Sequence, residues 1–145
     1  MSKIFKKIMC PVDFDRGSGD ALEFACKLAE LHDAKVYLLH VVSTPRLDNI
    51  ALEPPHPIVT EATASKELKK LAGGLASKAP HHVLVRTGDP AKMIVAAADE
   101  LEVDLIVLAT HSGRELTRLV YGSVAERVIH QTKRPVLNIT PRPAA

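Results

Sequence analysis

The chain has 145 residues, a length that fits one domain with its own hydrophobic core. Apolar residues make up 46% and charged residues 25%, which is ordinary globular usage and argues against wholesale disorder. A net charge of +2 and an aromatic content of 3% argue against a nucleic-acid-binding surface. The sequence shows neither a transmembrane run nor a signal-peptide pattern, so we expect a cytoplasmic protein without a membrane partner.

The chain has only two cysteines, Cys10 and Cys26, and they do not form a C-x-x-C pair. Cys10 falls in a predicted strand and Cys26 in a predicted helix. Such cysteines are typical of buried, reduced thiols rather than of a disulfide or a redox pair.

Strand-like apolar runs alternate with helical patterns in the first half of the chain. Residues 6–12 and 35–42 are predicted to be strands, the second of them buried on both faces. Residues 13–19 have turn chemistry, and a helix then runs to His32–Asp33. The predicted buried stripe of this helix is Ala21, Phe24, Leu28 and Leu31. Four prolines predict a loop over residues 43–59.

The alternation continues in the second half. A helix is predicted around Leu68, Leu71, Ala72 and Leu75, followed by a strand over residues 82–86. Asp89 suits the N-cap of the next helix and Pro90 its first turn. The buried face of that helix is predicted to be Met93, Ile94, Ala97 and Leu101. The last elements are a strand over 105–108, a helix from Ser123 to about Gln131 and a strand over 135–139.

Four strand–helix units and a final strand predict an open, five-stranded parallel α/β sheet with helices on both faces. We expect one domain, residues 1–145, with a core of about 5–140. Ligands of such sheets bind where the strand order reverses, beyond the carboxyl ends of the strands. If the order is 3-2-1-4-5, the loops that begin at Asp13 and Ala109 meet there; other orders are compatible with the pattern.

The segment from Val103 to Ile139 is the strongest candidate for a functional site. An apolar strand is followed by a polar loop, then by Gly122-Ser123 and a helix, and a helix N-terminus can bind an anion. The G-x4-G-K-[ST] and G-x-G-x-x-G motifs are missing, which disfavours a P-loop ATPase and a standard dinucleotide-binding domain. A phosphorylated receiver domain needs an acidic residue after the third strand, where this chain has Arg86-Thr87-Gly88.

Several of these residues also have simpler explanations. Ser123 and Glu126 form a capping box, which needs no ligand. Asp13 can cap the first helix or lie solvated in its loop. Arg114 and Arg118 can be solvated loop cations or phosphate ligands, and His111 has no placed partner that would make it a catalytic base.

The chain resembles the universal stress protein family over nearly its whole length. The matching pieces are Pro11-Val12-Asp13, His40-Val41-Val42, Gly88-Asp89-Pro90, Asp104-Leu105-Ile106-Val107, the run GSVAERV over 122–128, and Pro135-Val136-Leu137. The resemblance implies a Rossmann-like sheet of the adenine nucleotide alpha hydrolase type, in the order 3-2-1-4-5. It also implies a homodimer that pairs the last strands, here Val136, Leu137, Asn138 and Ile139.

The nucleotide-binding branch of that family carries the motif G-x2-G-x9-G-[ST] after the fourth strand. The corresponding residues here are Ala109, Ser112, Gly122 and Ser123, so the spacing is intact but the first two glycines are replaced. Glycine permits close backbone approach and positive φ, which alanine and serine resist. Both replacements are small, and Gly113 follows one position later.

The resemblance implies a binding site for ATP or a related adenine nucleotide and leaves the presence of Mg²⁺ open. Asp13 and Val41 would contact adenine or ribose, and Pro11 and Val12 would line the base pocket. The residues that would lie around the phosphates are Ala109, Ser112, Gly113, Gly122, Ser123 and Val124.

Three hypotheses remain, of which the third is a slow ATPase or another phosphate-handling enzyme. In the first, the protein is a homodimer that holds the nucleotide as a regulatory ligand and is at most a slow ATPase, since a placed Lys, metal-binding acid and water-orienting group do not occur together. In the second, the protein is a nucleotide-free module that binds another protein, because Ala109 and Ser112 replace motif glycines.

Overall fold

A computed structural model describes residues 4–13, 16–43, 60–109 and 124–140. Five parallel strands form one sheet in the order β3-β2-β1-β4-β5, which confirms the predicted fold class and strand order. The strands are β1 (Lys7–Pro11), β2 (Lys35–Ser43), β3 (His81–Gly88), β4 (Leu105–Ala109) and β5 (Val136–Ile139).

Helices cover both faces of this sheet. They are α1 (Arg16–His32), α2 (Glu61–Gly73), α3 (Pro90–Leu101) and α4, which is described from residue 124 to 131. One hydrophobic cluster joins α1 and α2 to the sheet, and a second joins α3 and α4 to the opposite face. This division follows from the strand order, because right-handed crossovers that run in opposite directions along a sheet lie on opposite faces.

The central strand β1 is buried on both sides and is held firmly at its start. Ile8, Met9 and Cys10 are 0% exposed. The carboxylate of Asp104 accepts hydrogen bonds from the main-chain N–H groups of Lys6 and Lys7 at 2.8 and 3.0 Å. In return, the N–H of Asp104 donates to the carbonyl of Lys7 at 2.8 Å. These bonds join the starts of β1 and β4.

The predicted buried stripe of α1 is wrong in part. Phe24 is 44% and Leu31 81% exposed, whereas the buried residues of this helix are Ala21, Leu22, Ala25, Cys26 and Ala29. The helix also begins at Arg16, inside the segment predicted to be a turn. Small side chains let the helix lie close to the sheet, and a pattern search that favours large apolar residues misses such a face.

Both cysteines lie in the core as free thiols, as predicted. Burial raises the pKa of the Cys10 thiol far above its ordinary range, and the negative charge of Asp13 adds to this effect. Burial also raises the pKa of Cys26. A thiol that stays protonated is a poor nucleophile, so neither cysteine is activated. In the described part of the chain, no helix is long and apolar enough to cross a membrane.

Gly88, at the end of β3, has a backbone conformation that residues other than glycine rarely adopt. Its φ is +149°, and an added Cβ would lie 3.1 Å from Cγ of Met93. We expect Gly88→Ala to destabilise the protein by about 1–3 kcal/mol, because alanine would be strained there. Gly73→Ala is the matched control, since an added Cβ meets nothing within 4 Å. Urea unfolding of both variants measures the difference, and equal stabilities would contradict this explanation.

Candidate functional site

The strands β1 and β4 are parallel neighbours, so the chain leaves both of them at the same edge of the sheet. The strand order reverses between them, so the two connections lead away in opposite directions. Pro11 is the last residue of β1, and Val12 and Asp13 follow it. Ala109 is the last residue of β4. The crevice between two diverging connections at such an edge is where open α/β sheets bind ligands.

Val12 is held in place by the neighbouring strand β2. Its N–H donates to the carbonyl of Leu39 at 2.7 Å, and its carbonyl accepts a hydrogen bond from Nδ1 of His40 at 2.6 Å. The side chain of Val12 is only 3% exposed and belongs to the core. These contacts fix where the chain emerges at Asp13, which is exposed. The sequence does not predict this role for His40, although His40 stands beside Val41 in one of the matching pieces.

The described site residues come from both faces of the sheet. Val12 and Ala109 pack with the cluster that α1 and α2 cover, whereas Val41 and Val124 pack with the cluster that α3 and α4 cover. Pro11, Val41, Ala109 and Val124 are partly buried. Ser112, Gly113, Gly122 and Ser123 lie outside the described residues, as do His111, Arg114 and Arg118.

The Gly88-Asp89-Pro90 segment forms the predicted start of α3. Asp89 is the N-cap and its side chain accepts a hydrogen bond from the N–H of Lys92 at 3.1 Å, while Pro90 is the first helical residue. Both assignments are confirmed. The cap satisfies one of the N–H groups that a helix start leaves without an intrahelical partner.

Asp89 has a second role that sequence analysis missed. Its two carboxylate oxygens accept hydrogen bonds from the two Nη atoms of Arg127, in α4, at 3.1 and 2.8 Å. The Arg127 guanidinium is the main cause that holds the pKa of the Asp89 carboxyl below its usual value. Both residues lie in pieces that match the family, but a single sequence does not show that residues 38 positions apart are paired.

A similar pair joins the other end of α3 to the chain just before β5. Nε of Arg134 lies 3.1 Å from Oδ1 of Asp99, and its Nη1 donates to the carbonyl of Val103 at 3.4 Å. The helix α3 runs from the carboxyl edge of the sheet to the amino edge. The Asp89–Arg127 pair therefore contacts α4 at the carboxyl edge, and the Asp99–Arg134 pair contacts the segment between α4 and β5 at the amino edge.

The described residues contain no group of three or more His, Cys, Asp or Glu side chains that could hold a metal ion. At the carboxyl edge, the described residues include the exposed carboxylate of Asp13, a partly buried apolar surface and the first described turn of α4.

Comparison with known proteins identifies the family. The family model described as "Universal stress protein family" matches residues 4–139, and the chain belongs to that family. Universal stress protein MJ0531 of Methanocaldococcus jannaschii is 34% identical over 140 residues, which cover 92% of this chain and 81% of the relative. The family assignment from the sequence is confirmed.

Solved structures agree with this fold. The structure of MJ0577 superposes with a TM-score of 0.74 at 24% identity, covering 97% of this chain and 99% of that chain. MJ0577 is another universal stress protein of Methanocaldococcus jannaschii. A universal stress protein from Archaeoglobus fulgidus, in complex with dAMP, has a TM-score of 0.63 and 25% identity and covers 94% of this chain and 98% of that one.

The lowered pKa of Asp89 predicts an acid-sensitive contribution to stability. This contribution is complete above the ordinary carboxyl pKa of 3.8 and is lost as the pH falls through the lowered pKa of the folded state. Asp89→Asn removes the charge but keeps an N-cap acceptor. We expect the stability advantage of the wild type over this variant to be largest near neutral pH and to shrink on acidification.

Urea unfolding of both proteins, followed from about pH 6 to about pH 3, measures this advantage. A difference that stays constant over the whole range would contradict the assignment to the Asp89 charge.

Proposed function

We propose that this universal stress protein binds ATP or another adenine nucleotide at the carboxyl edge of its sheet, between the ends of β1 and β4. The observation that carries the proposal is the reversal of strand order beside Asp13 and Ala109. Residues 124–131 of α4 follow the second of these connections in the chain, and in the proposed site the N-terminal end of this helix would attract the anionic part of the ligand.

In the proposed site, the adenosine part of the ligand lies against the end of β1 and β2. Asp13 is exposed there, and its carboxylate would accept a hydrogen bond from a ribose hydroxyl or from the adenine amino group. Val41 is partly buried and would offer an apolar contact to the base, together with Pro11. Because both main-chain polar groups of Val12 are bonded to β2, Val12 would hold the pocket in place rather than bond the ligand.

The phosphates would lie beside the connection from β4 to α4. The proposed ligands are main-chain N–H groups and hydroxyls of Ser112, Gly113, Gly122, Ser123 and Val124, with Ala109 at the start of the connection. Such a site can bind phosphate without a metal, although Mg²⁺ can accompany the phosphates of ATP.

The complex of the Archaeoglobus fulgidus relative with dAMP supports the choice of an adenine nucleotide. That ligand shares the base and one phosphate with ATP. The proposed nucleotide is a regulatory ligand that acts through its different affinity for two states of the protein, and hydrolysis would be slow at most. We propose that the protein acts in the cytoplasm, since free, buried cysteines suit a reducing compartment.

The alternative function is a nucleotide-free universal stress protein that binds another protein. It is favoured by Ala109, which ends β4 where the nucleotide-binding motif has glycine. Ser112 replaces the second glycine. A Cβ at either position would narrow the backbone approach that phosphate requires.

Gly122→Val tests the nucleotide hypothesis. We expect at least a ten-fold loss of ATP affinity, about 1.4 kcal/mol, because the bulky side chain would restrict the backbone beside the phosphates. Gly73→Val is the matched control, since Gly73 ends α2 at the amino edge. The measurement is calorimetric titration after denaturation and mass spectrometry have shown which small molecule, if any, co-purifies with the wild type.

A wild type that carries no nucleotide and binds none would favour the alternative. In that case, the variant with Ala109→Gly and Ser112→Gly should gain ATP binding. Equal affinity of folded Gly122→Val and the wild type would refute the proposed phosphate contacts.

We further propose a homodimer formed through β5, which is an edge strand in the described part of the chain. The carbonyl of Pro135 accepts from the N–H of Ile106 at 2.9 Å, so Pro135 faces β4. Successive strand residues direct their main-chain groups to opposite sides. Leu137 and Ile139 therefore also face β4, whereas Val136 and Asn138 direct their N–H and C=O groups to the outer edge.

Asn138→Pro tests this dimer, because it removes an outward N–H while the bonds to β4 remain. We expect a folded monomer, whereas the control Asn138→Ala, which keeps the N–H group, should remain a dimer. Sedimentation or light scattering gives the molecular mass. A monomeric wild type would refute the dimer, and a dimeric Asn138→Pro variant would refute pairing through β5.

A further inference from the structure

The Asp89–Arg127 pair joins the N-terminal end of α3 to the first described turn of α4, at the carboxyl edge of the sheet. Asp89 is the N-cap of α3. Arg127 lies three residues after Val124, the first described residue of α4, and four after Ser123. Helical side chains lean toward the N-terminus of their helix, so the group that Arg127 binds determines where the first turn of α4 lies.

The contact fixes an orientation as well as a distance. Nη1 of Arg127 lies 3.1 Å from Oδ1 of Asp89 and Nη2 lies 2.8 Å from Oδ2, which is the two-pronged geometry of a planar guanidinium on a carboxylate. The side chains of Asp89 and Arg127 are only 28% and 34% exposed. Solvent therefore screens this pair less than a fully exposed ion pair.

Asp89 is itself a rigid reference point. It precedes Pro90, whose φ is set by its ring. Its Oδ2 also accepts the N–H of Lys92 at 3.1 Å. Of the two partners, α4 is therefore the one whose position the pair sets.

We propose that Asp89 and Arg127 are positioning residues for the nucleotide site, without being nucleotide ligands themselves. The pair holds the first described turn of α4, so that its main-chain N–H groups would already be oriented toward the phosphates before the ligand arrives. A donor that is already oriented binds more tightly, because no ordering cost is left to offset its bond. This inference rests on the proposed function and deepens it.

The test uses two single variants, their combination and a matched control. Asp89→Asn keeps the N-cap acceptor, and Arg127→Met keeps the unbranched stem of the side chain. Asp99→Asn is the control, because it removes the Asp99–Arg134 contact, which holds the other end of α3. Two quantities are measured on each folded variant: ATP affinity by calorimetry, and amide hydrogen exchange of residues 124–131 without nucleotide.

We expect each single variant at Asp89 or Arg127 to weaken ATP binding several-fold to about thirty-fold. The double variant should be no weaker than the weaker single variant, because both remove the same contact. Exchange should accelerate in residues 124–131 while β1 stays protected. Asp99→Asn should leave ATP affinity unchanged even if it lowers stability.

Two results would overturn the inference. Unchanged exchange in residues 124–131 would show that the pair does not order the start of α4, whether or not nucleotide binds. Unchanged ATP affinity in a variant with faster exchange would show that this order does not serve the site. A wild type that binds no ATP refutes the proposed function as well, whereas failure of the inference alone leaves wild-type binding intact.

Discussion

The carboxylate of Asp104 accepts the main-chain N–H groups of Lys6 and Lys7, and its own N–H is bonded to the carbonyl of Lys7. These bonds join β1 to β4 at the amino edge of the sheet. Once that end is joined, the register places Ile8 beside Leu105. The same register sets the relative positions of the ends of β1 and β4 at the candidate site, because the paired strands run from one edge of the sheet to the other.

The helix α3 links this strand pair to the final helix and strand. It begins in the segment Gly88-Asp89-Pro90, in which each residue has a separate physical role. Gly88 supplies the positive φ, Asp89 caps the helix and binds Arg127, and Pro90 begins the helix without needing an N–H partner. Near the other end, Asp99 contacts Arg134. The second hydrophobic cluster packs α4 against α3 as well as against the sheet.

The altered glycine motif bears directly on how this family member works. Ala109 ends β4 as a partly buried residue that packs on the α1–α2 side of the sheet, so its methyl group has a packing role whether or not a ligand binds. An added methyl group need not block phosphate if the remaining N–H groups are well oriented. If the proposed nucleotide site forms, contacts that orient the first described turn of α4 would matter more, because fewer glycines are present to let the backbone adapt to the ligand.

Much of the fold could be predicted from the chain because the relevant signals are local. Apolar runs separated by helical patterns predict parallel strands with crossover helices, and Asp89 before Pro90 predicts the start of α3. The face of α1 could not be predicted in the same way. Its contact with the sheet is made by small residues such as Ala21, Ala25 and Ala29, and their burial depends on the surface they meet.

The sequence by itself determined the order of the elements, the helix cap at Asp89 and the family. Only the tertiary structure decided which side chains meet. His40 bonds the carbonyl of Val12 across 28 positions, and Arg127 binds Asp89 across 38 positions. Neither contact leaves a local pattern, because each depends on the strand order that brings distant segments to one edge of the sheet. The physical reason is that helices and strands are indicated by the spacing of apolar residues close together in the chain, whereas contacts between elements arise only when the sheet has formed.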